Sequence, residues 1–337
     1  MESQRQIATW LFIIVAMIFI MIVLGGLTRL THSGLSMVEW RPITGWLPPL
    51  DEVTWQKVFE LYQSSPEYQQ YNQGMTIPEF KSIFWLEFTH RLWGRLIGVV
   101  FIVPFLAFSY KGSVDRPLGI KLTVMFVLGG LQGALGWFMV KSGLTDRADV
   151  SQYRLAAHLG LGLALFGYVL WVSLACLRDG ARARSSALSQ GAIVLAGLIF
   201  VTAMSGALVA GLDAGLIYNT FPFMDGRLVP DGAFDLSPGY LNFFENIAMV
   251  QFDHRLLAIT VLVCVIGFWN WARRCDVTPG AKRAASYLLA MGGIQVGLGI
   301  STLLLVVPVA LAALHQAGAV ALLGIAIWVV REVRFPE

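Results

Sequence analysis

Charged residues are scarce in this 337-residue chain: Asp, Glu, Lys and Arg make up 13% of it, whereas 56% of the residues are hydrophobic. A water-soluble protein of this length carries about a quarter of its residues charged. The shortage excludes an ordinary soluble globular protein and favours a chain that is solvated by a lipid bilayer. The net charge of +3 is too small and too dispersed to indicate nucleic-acid binding.

Cysteine is also rare, and its positions exclude two further classes. Cys176, Cys264 and Cys275 lie near the ends of apolar segments, and we interpret them as reduced. They do not have the spacing of a disulfide framework or of a metal-binding set. The sequence contains neither a phosphate-binding glycine loop nor a Ser/His/Asp arrangement.

Apolar runs of about 20 residues, the length that crosses a bilayer, occur eight times. The runs are continuously apolar and not alternating, which predicts helices and not a β-barrel. Met1–Gln6 is too short to be a targeting peptide and the first run is too long for a signal-peptide core, so we expect that helix to be retained. The predicted spans are Ile7–Leu27, Leu86–Ser109, Ile120–Val140, Leu155–Leu177, Gln190–Leu212, Ile247–Trp269, Ala284–Val306 and Val309–Val330.

Basic residues in the short connections predict the orientation. Because positive residues stay on the cytoplasmic side, both termini are expected in the cytoplasm and the long loops, about 28–85 and 213–246, outside. The lack of a transit peptide favours a bacterial inner membrane over a mitochondrial one. The basic residues concerned are Arg5, Lys111, Arg116, Arg178, Arg182, Arg184, Arg273, Arg274, Lys282, Arg283, Arg331 and Arg334.

The two halves of the sequence resemble each other. Each half has four spans, an even number, so the halves share one orientation. The sequence therefore predicts an all-α integral membrane protein whose eight transmembrane helices form two tandem four-helix bundles, 1–185 and 186–337, related by a pseudo-twofold axis along the membrane normal. The matching segments are GGLTRLTHSGL (25–35) with SGALVAGLDAGL (205–216), GGLQGALG (129–136) with GGIQVGLG (292–299), and AAHLG (156–160) with ALHQA (313–317).

Four of the five histidines occupy matching positions near the outer ends of even-numbered helices. Ionisable groups inside a membrane are costly and usually mark function. A single membrane histidine is readily explained as a hydrogen-bonded interface residue, whereas four at matching positions are not. His32 aligns with Asp213 and is interpreted as a loop residue. The four are His90, His158, His254 and His315.

Two histidine pairs indicate two haem sites, because imidazole is a common axial ligand of haem iron and two facing helices can supply one each. Small residues beside His158 and His315 leave room for a flat macrocycle, although they also permit close helix packing. Packing is our interpretation of the glycines in the third and seventh spans. A zinc site is disfavoured because no cysteine lies at this depth. Haem propionates or lipid headgroups are the expected partners of Arg91, Arg95 and Arg255.

The two halves differ at one informative position. Glu87 precedes His90 by three residues and shares its helix face, whereas Gln251 precedes His254 by the same spacing. A buried carboxylate beside a macrocycle could position water, move protons or stabilise developing positive charge. Glu87 could instead be ion-paired with Arg91, four residues further along the helix. We therefore predict chemistry in the first half and a permanently held cofactor in the second.

Three motifs, GGLTRLTHSGLSMVEWRPITGWLPP (25–49), EFTHRLWGRLIG (87–98) and GLIYNTFPFMDGRLVP (215–230), resemble haem A synthases of the mitochondrial and proteobacterial type. The resemblance extends over essentially the whole chain. It implies that His90 and His158 hold the substrate haem, that His254 and His315 hold a haem b cofactor, and that Glu87 is the functional acid. The cysteine pair in the first outer loop of some Gram-positive members does not occur in this sequence.

The resemblance further implies oxidation of the C8 methyl of haem O to a formyl group, by successive hydroxylations, to give haem A for cytochrome oxidase. The expected partners are haem O, a ferredoxin-type electron donor, haem O synthase, oxidase assembly factors, membrane lipid and further copies of the chain, with the haem sites towards the periplasmic side. Two alternatives stay open from the residues alone: a quinol-linked dihaem b electron-transfer cytochrome, and a haem carrier or transporter.

Overall fold

The computed structural model describes residues 2–41, 44–143, 150–177 and 186–335. Within these ranges the chain has no named β-strand, and eight helices are long and apolar enough to cross a membrane, which confirms the predicted all-α, eight-span fold. The basic residues at 178, 182 and 184 lie outside the described residues. The eight long helices are α1 (Glu2–Leu30), α4 (Ile77–Tyr110), α5 (Arg116–Gly143), α6 (Gln152–Leu177), α7 (Ala187–Gly211), α9 (Ile247–Arg274), α10 (Pro279–Leu304) and α11 (Val309–Arg334), and three short ones are α2 (Glu52–Gln63), α3 (Pro66–Tyr71) and α8 (Asn242–Glu245).

The chain forms two compact units, whose boundaries fall inside α1 and α6. The N-terminal unit is Ile13–Gly162, and the C-terminal unit is Met1–Phe12 together with Leu163–Glu337. In the C-terminal unit α7 and α10 each pack against both α9 and α11, which closes a four-helix bundle. The predicted division at 185/186 and the pseudo-twofold axis stay predictions.

Helix α4 begins at Ile77, nine residues before the predicted start of its span at Leu86. Thr76 and Glu79 form a capping box there, since the Glu79 carboxylate accepts hydrogen bonds from the backbone N–H and the hydroxyl of Thr76. Hydropathy identifies only the part of a helix that crosses the bilayer. The outer turns of α4 were therefore missed, because they pack against protein and not against lipid.

An aromatic cluster lies between α2 and the first turns of α4, in the segment that follows α1. Tyr62 and Phe80 are fully buried and stack with their ring centroids 5.2 Å apart. Burial also raises the pKa of the Tyr62 phenol, which donates to Glu67. The cluster gives this segment a hydrophobic core of its own. Its buried members are Trp55, Phe59, Tyr62, Phe80, Phe84 and Phe88.

The first helix of each half ends in the same way. His32 and Asp213, which the sequence alignment pairs, have positive φ values of 49° and 51°. Both backbone N–H groups donate to a carbonyl three residues earlier, at Arg29 and Ala210. A left-handed residue at this position satisfies late helix carbonyls and turns the chain out of the helix. His32 is therefore a helix-terminating residue.

Candidate functional site: two histidine pairs and their supports

His254 on α9 and His315 on α11 face each other within the C-terminal unit. Their ring centroids are 6.3 Å apart and the ring planes are inclined by 89°. The Ser205 hydroxyl donates to the carbonyl of Thr202 at 2.7 Å and lies 2.8 Å from His254 Nδ1. Because a hydroxyl has one proton, it accepts from Nδ1–H in this arrangement. That tautomer leaves the Nε2 lone pair of His254 available to a metal.

The N-terminal unit contains the other two predicted ligands. His90 on α4 and His158 on α6 lie within electrostatic range of each other. The Nδ1 atoms of both rings are buried, and the backbone of Leu24 interacts with the His90 imidazole. The structure thus groups the four predicted histidines two by two, one pair in each unit.

A glutamine lies beside the second histidine of each pair. Gln132 on α5 donates to the carbonyl of His158, and Gln295 on α10 donates to the carbonyl of His315, both at 2.9 Å. The same amide nitrogens lie 3.4 Å from His158 Nε2 and 3.1 Å from His315 Nδ1. The Oε1 atoms of both glutamines are buried and unpartnered in the described part of the chain.

These features fit a haem held by two imidazoles. An imidazole nitrogen lies about 2 Å from a bound metal, and the ring centre is about 1 Å further away. Two rings on opposite faces of one iron therefore have centres about 6 Å apart, which matches the 6.3 Å between His254 and His315. A porphyrin supplies the other four ligands itself. The described residues contain no group of three or more His, Cys, Asp and Glu that could hold a metal ion.

Glu87 is 3% exposed and joins α4 to the outer loop that follows α1. Its Oε2 accepts hydrogen bonds from the Ser36 hydroxyl at 2.7 Å and from the Met37 backbone N–H at 2.6 Å. Its Oε1 is ion-paired with Arg91, the alternative that the sequence left open. Arg91 in turn donates to the carbonyls of Met37 and Glu39. We call this set the N-terminal staple.

Gln251, the repeat equivalent of Glu87, also joins its helix to the neighbouring loop, but it donates hydrogen bonds to the loop where Glu87 accepts them. Its Nε2 donates to the carbonyls of Ala214 and Ile217, both at 2.6 Å, and its Oε1 accepts from Arg255 at 2.7 Å. Arg255 also donates to two further loop carbonyls, those of Tyr218 and Thr220. We call this set the C-terminal staple. Glu87 presents hydrogen-bond acceptors to its loop, whereas Gln251 presents donors to its own.

The three arginines that the sequence assigns to haem propionates all donate to loop carbonyls. Besides the two staple arginines, Arg95 donates to the carbonyl of Arg41 at 2.9 Å. Pairing of Arg91, Arg95 or Arg255 with a propionate therefore stays a prediction.

Sequence reasoning missed several of the residues that surround the histidines. Ser205, Gln132 and Gln295 were visible only as matches or neighbours in the repeat alignment, and nothing assigned them to the imidazoles. Glycines assigned to helix packing also touch the histidine rings: Gly136 lies against His158 and Gly299 against His315. The signal that could have identified the glutamines and glycines is their recurrence, with the histidines, at matching positions of both halves; Ser205 gave no such signal, because Leu24 occupies its equivalent position.

Comparison with known proteins identifies the same family over nearly the whole chain. The family of cytochrome oxidase assembly proteins described as COX15-CtaA matches residues 8–327. A haem A synthase of Nitrosospira multiformis is 51% identical over 335 residues, which cover 98% of this chain and 94% of that protein. A haem A synthase of Parvibaculum lavamentivorans is 49% identical, with 97% of this chain and 94% of that protein covered.

The similarity extends to a eukaryotic relative. The haem A synthase COX15 of Arabidopsis thaliana is 43% identical over 349 residues, which cover 100% of this chain and 76% of that protein. With the matched histidine pairs and the eight long helices, these similarities show that the chain belongs to the COX15-CtaA family of multi-pass membrane proteins, whose named relatives are haem A synthases.

Proposed function

We propose that this protein is an oxidoreductase that converts haem O into haem A in a bacterial cytoplasmic membrane. The observation that carries the proposal is one difference between two similar sites. Each unit has a histidine pair and an arginine staple, but only the pair in the N-terminal unit has a carboxylate, Glu87, on the helix face of its first histidine. An acid beside one porphyrin and an amide beside the other suit one reacting haem and one resident haem.

His90 and His158 would bind the iron of the substrate, and His254 and His315 that of a resident haem b. When bound, a haem supplies one-electron chemistry, because its iron changes oxidation state by one unit at a time. The hydrogen bond between Ser205 and His254 supports this role, because it orients Nε2 as a ligand. Arg91, Arg95 and Arg255 are the residues that would pair with propionates.

The reaction turns a methyl carbon into a formyl carbon. Two successive hydroxylations give a geminal diol, which loses one water. With dioxygen as the oxidant, each hydroxylation takes two electrons from the substrate carbon and two from the electron donor, and converts one O2 into the new hydroxyl group and one water. Glu87 lies one helical turn from His90 on the same face of α4. Its carboxylate can take up a proton or stabilise the positive charge that develops at the carbon. The aromatic cluster and the N-terminal staple keep this carboxylate away from bulk water.

We further propose that both termini lie in the cytoplasm, that the haem sites lie towards the periplasmic side and that a ferredoxin-type protein supplies electrons. Haem O synthase and oxidase assembly factors are the expected neighbours before and after this step. The basic residues of the short connections support the orientation. Self-association of the chain, which the small residues of the lipid-facing helices permit, completes the proposal.

Porphyrin analysis of the purified protein tests the function. Acid extraction and chromatography should recover haem b together with haem O, haem A or a hydroxylated intermediate. Two equivalents of haem b with no haem O or haem A in any preparation would contradict the proposal and favour an electron-transfer cytochrome. Recovery of haem O that never turns over with a supplied reductant and oxygen would instead favour a haem carrier.

A further inference from the structure

Each of the four histidine rings is contacted by a glycine of a neighbouring helix. In every case the nearest ring atom is Cε1, the carbon between the two nitrogens, and a methyl group built on the glycine would lie very close to it. The distances from that methyl carbon to Cε1 are 3.2 Å for Gly25 and His90, 3.1 Å for Gly136 and His158, 3.1 Å for Gly206 and His254, and 2.8 Å for Gly299 and His315.

The contact is specific to these glycines. Gly129 and Gly133 share α5 with Gly136, and a methyl group on either would meet nothing within 4 Å. The same is true of Gly297, two residues before Gly299 on α10. The contacting glycines also correspond between the halves, Gly25 with Gly206 and Gly136 with Gly299. Four contacts with the same ring atom at aligned positions do not follow from general helix packing.

We propose that Gly25, Gly136, Gly206 and Gly299 are positioning residues that fix the planes of the four ligand imidazoles. The inference rests on the proposed haem sites. A bond from Nε2 to a metal fixes one point of the ring but leaves it free to turn about that bond. A backbone pressed against Cε1 removes this freedom on one side, and only glycine permits so close an approach.

In the C-terminal unit, a second contact constrains the His315 ring. The Nε2 atom of Gln295 donates to the carbonyl of His315 and lies 3.1 Å from its Nδ1, while a methyl group on Gly299 would meet Cε1 of the same ring. The first ring is held likewise, by Ser205 at Nδ1 and Gly206 at Cε1 of His254. Together these contacts hold the two rings at the 89° between their planes.

Substitution of these glycines by alanine separates the contact with the histidine ring from any effect on the helix backbone. None of the four glycines has the positive φ that disfavours alanine, and alanine is a better helix former than glycine in a helix interior. A deleterious effect of Gly299→Ala or Gly206→Ala therefore comes from the methyl group and the ring. The effect should be larger for Gly299→Ala, because 2.8 Å is shorter than 3.1 Å.

Electron paramagnetic resonance of the purified ferric holoenzyme tests the proposal, because the low-spin haem signal reports the angle between the two axial imidazole planes. We expect Gly299→Ala to shift the largest g value of the haem b signal or to abolish the signal. Gly206→Ala should shift it less, and Gly297→Ala should leave it at the wild-type position. Haem content and circular dichroism are measured in parallel.

The outcomes separate the inference from the function on which it rests. Wild-type protein without any haem would contradict the proposed function. Haem-loaded Gly299→Ala and Gly206→Ala with wild-type signals would overturn the role of the glycines and leave the function intact. If both variants fail to fold while Gly297→Ala folds, the glycines serve helix packing alone, and the inference is equally overturned.

Discussion

The buried oxygens of Glu87 and the amide of Gln251 show how one residue distinguishes two similar sites. Glu87 receives hydrogen bonds from Ser36 and Met37, whereas Gln251 gives them to loop carbonyls. Replacing Glu87 by Gln therefore does more than remove a charge. The new NH2 group must face either the donors of the loop or the guanidinium of Arg91, and a buried donor is left without an acceptor.

For Glu87→Gln we expect retained haem b and lost haem A formation. The unpaired donor should also lower the free energy of unfolding by about 1–3 kcal/mol. Haem A is measured by chromatography of extracted porphyrins, and stability by thermal unfolding of the purified protein.

Ser36→Ala is the matched control for Glu87→Gln. It removes one hydrogen bond from the same Oε2 atom but keeps the carboxylate. If the carboxylate takes part in the chemistry, Ser36→Ala continues to form haem A. Normal haem A formation by Glu87→Gln would remove Glu87 from the mechanism, and equal loss in both variants would assign it to holding the loop.

The two histidine pairs should differ in which haem they retain. His254→Ala should lose the haem b absorption, because one of its two axial ligands is gone, whereas His90→Ala should keep that absorption and lose haem O binding. Reduced-minus-oxidised spectra of both purified variants measure this. The reverse pattern would exchange the assignment of substrate and cofactor between the two units.

Among the elements, α4 is the one whose extent the sequence understated. Its outer turns carry Phe80 and Phe84, which pack with Trp55 and Phe59 of α2. The mean hydropathy along the sequence cannot identify these turns of α4, because their aromatic side faces another helix and their other side faces water. The arrangement gives the loop after α1 a rigid support close to Glu87.

Truncation of Phe80 should disrupt the outer loop more than the membrane bundle. Phe80 is fully buried in the aromatic cluster, so Phe80→Ala should cost about 3–5 kcal/mol locally. We expect faster limited proteolysis in the outer loop and unchanged haem b content. Val53→Ala, on the exposed side of α2 at 81% exposure, is the control and should leave the proteolysis rate unchanged. Equal rates for Phe80→Ala and wild type would contradict a stabilising role for the cluster.

For the molecule as a whole, the sequence predicted the features that depend on residues close together along the chain. Apolar runs gave the eight helices, and the repeat gave the four histidines with Glu87 and Gln251 at equivalent positions. Contacts between distant segments were not predictable. The bond from Glu87 to Ser36 joins residues 51 positions apart, and only the folded chain brings Gly299 to His315.

The orientation of the whole chain is testable with terminal fusions. Because the basic connections predict cytoplasmic termini, a fluorescent protein fused after Glu337 should fluoresce, and alkaline phosphatase fused there should be inactive. A phosphatase inserted in the first outer loop, next to Gly74, should be active. An active C-terminal phosphatase fusion would reverse the predicted orientation and place the haem sites on the cytoplasmic side.

The opposite polarity of the two staples has a consequence for how the chain folds. Two similar halves inserted in the same orientation risk exchanging their loops, since each arginine can donate to any nearby carbonyl. Glu87 facing the carbonyls of Ala214 and Ile217 would oppose acceptor to acceptor, and Gln251 facing Ser36 and Met37 would leave a buried donor unpaired. Each mismatch costs about 1–3 kcal/mol. Glu87 and Gln251 are therefore expected to favour the pairing of each loop with its own helix.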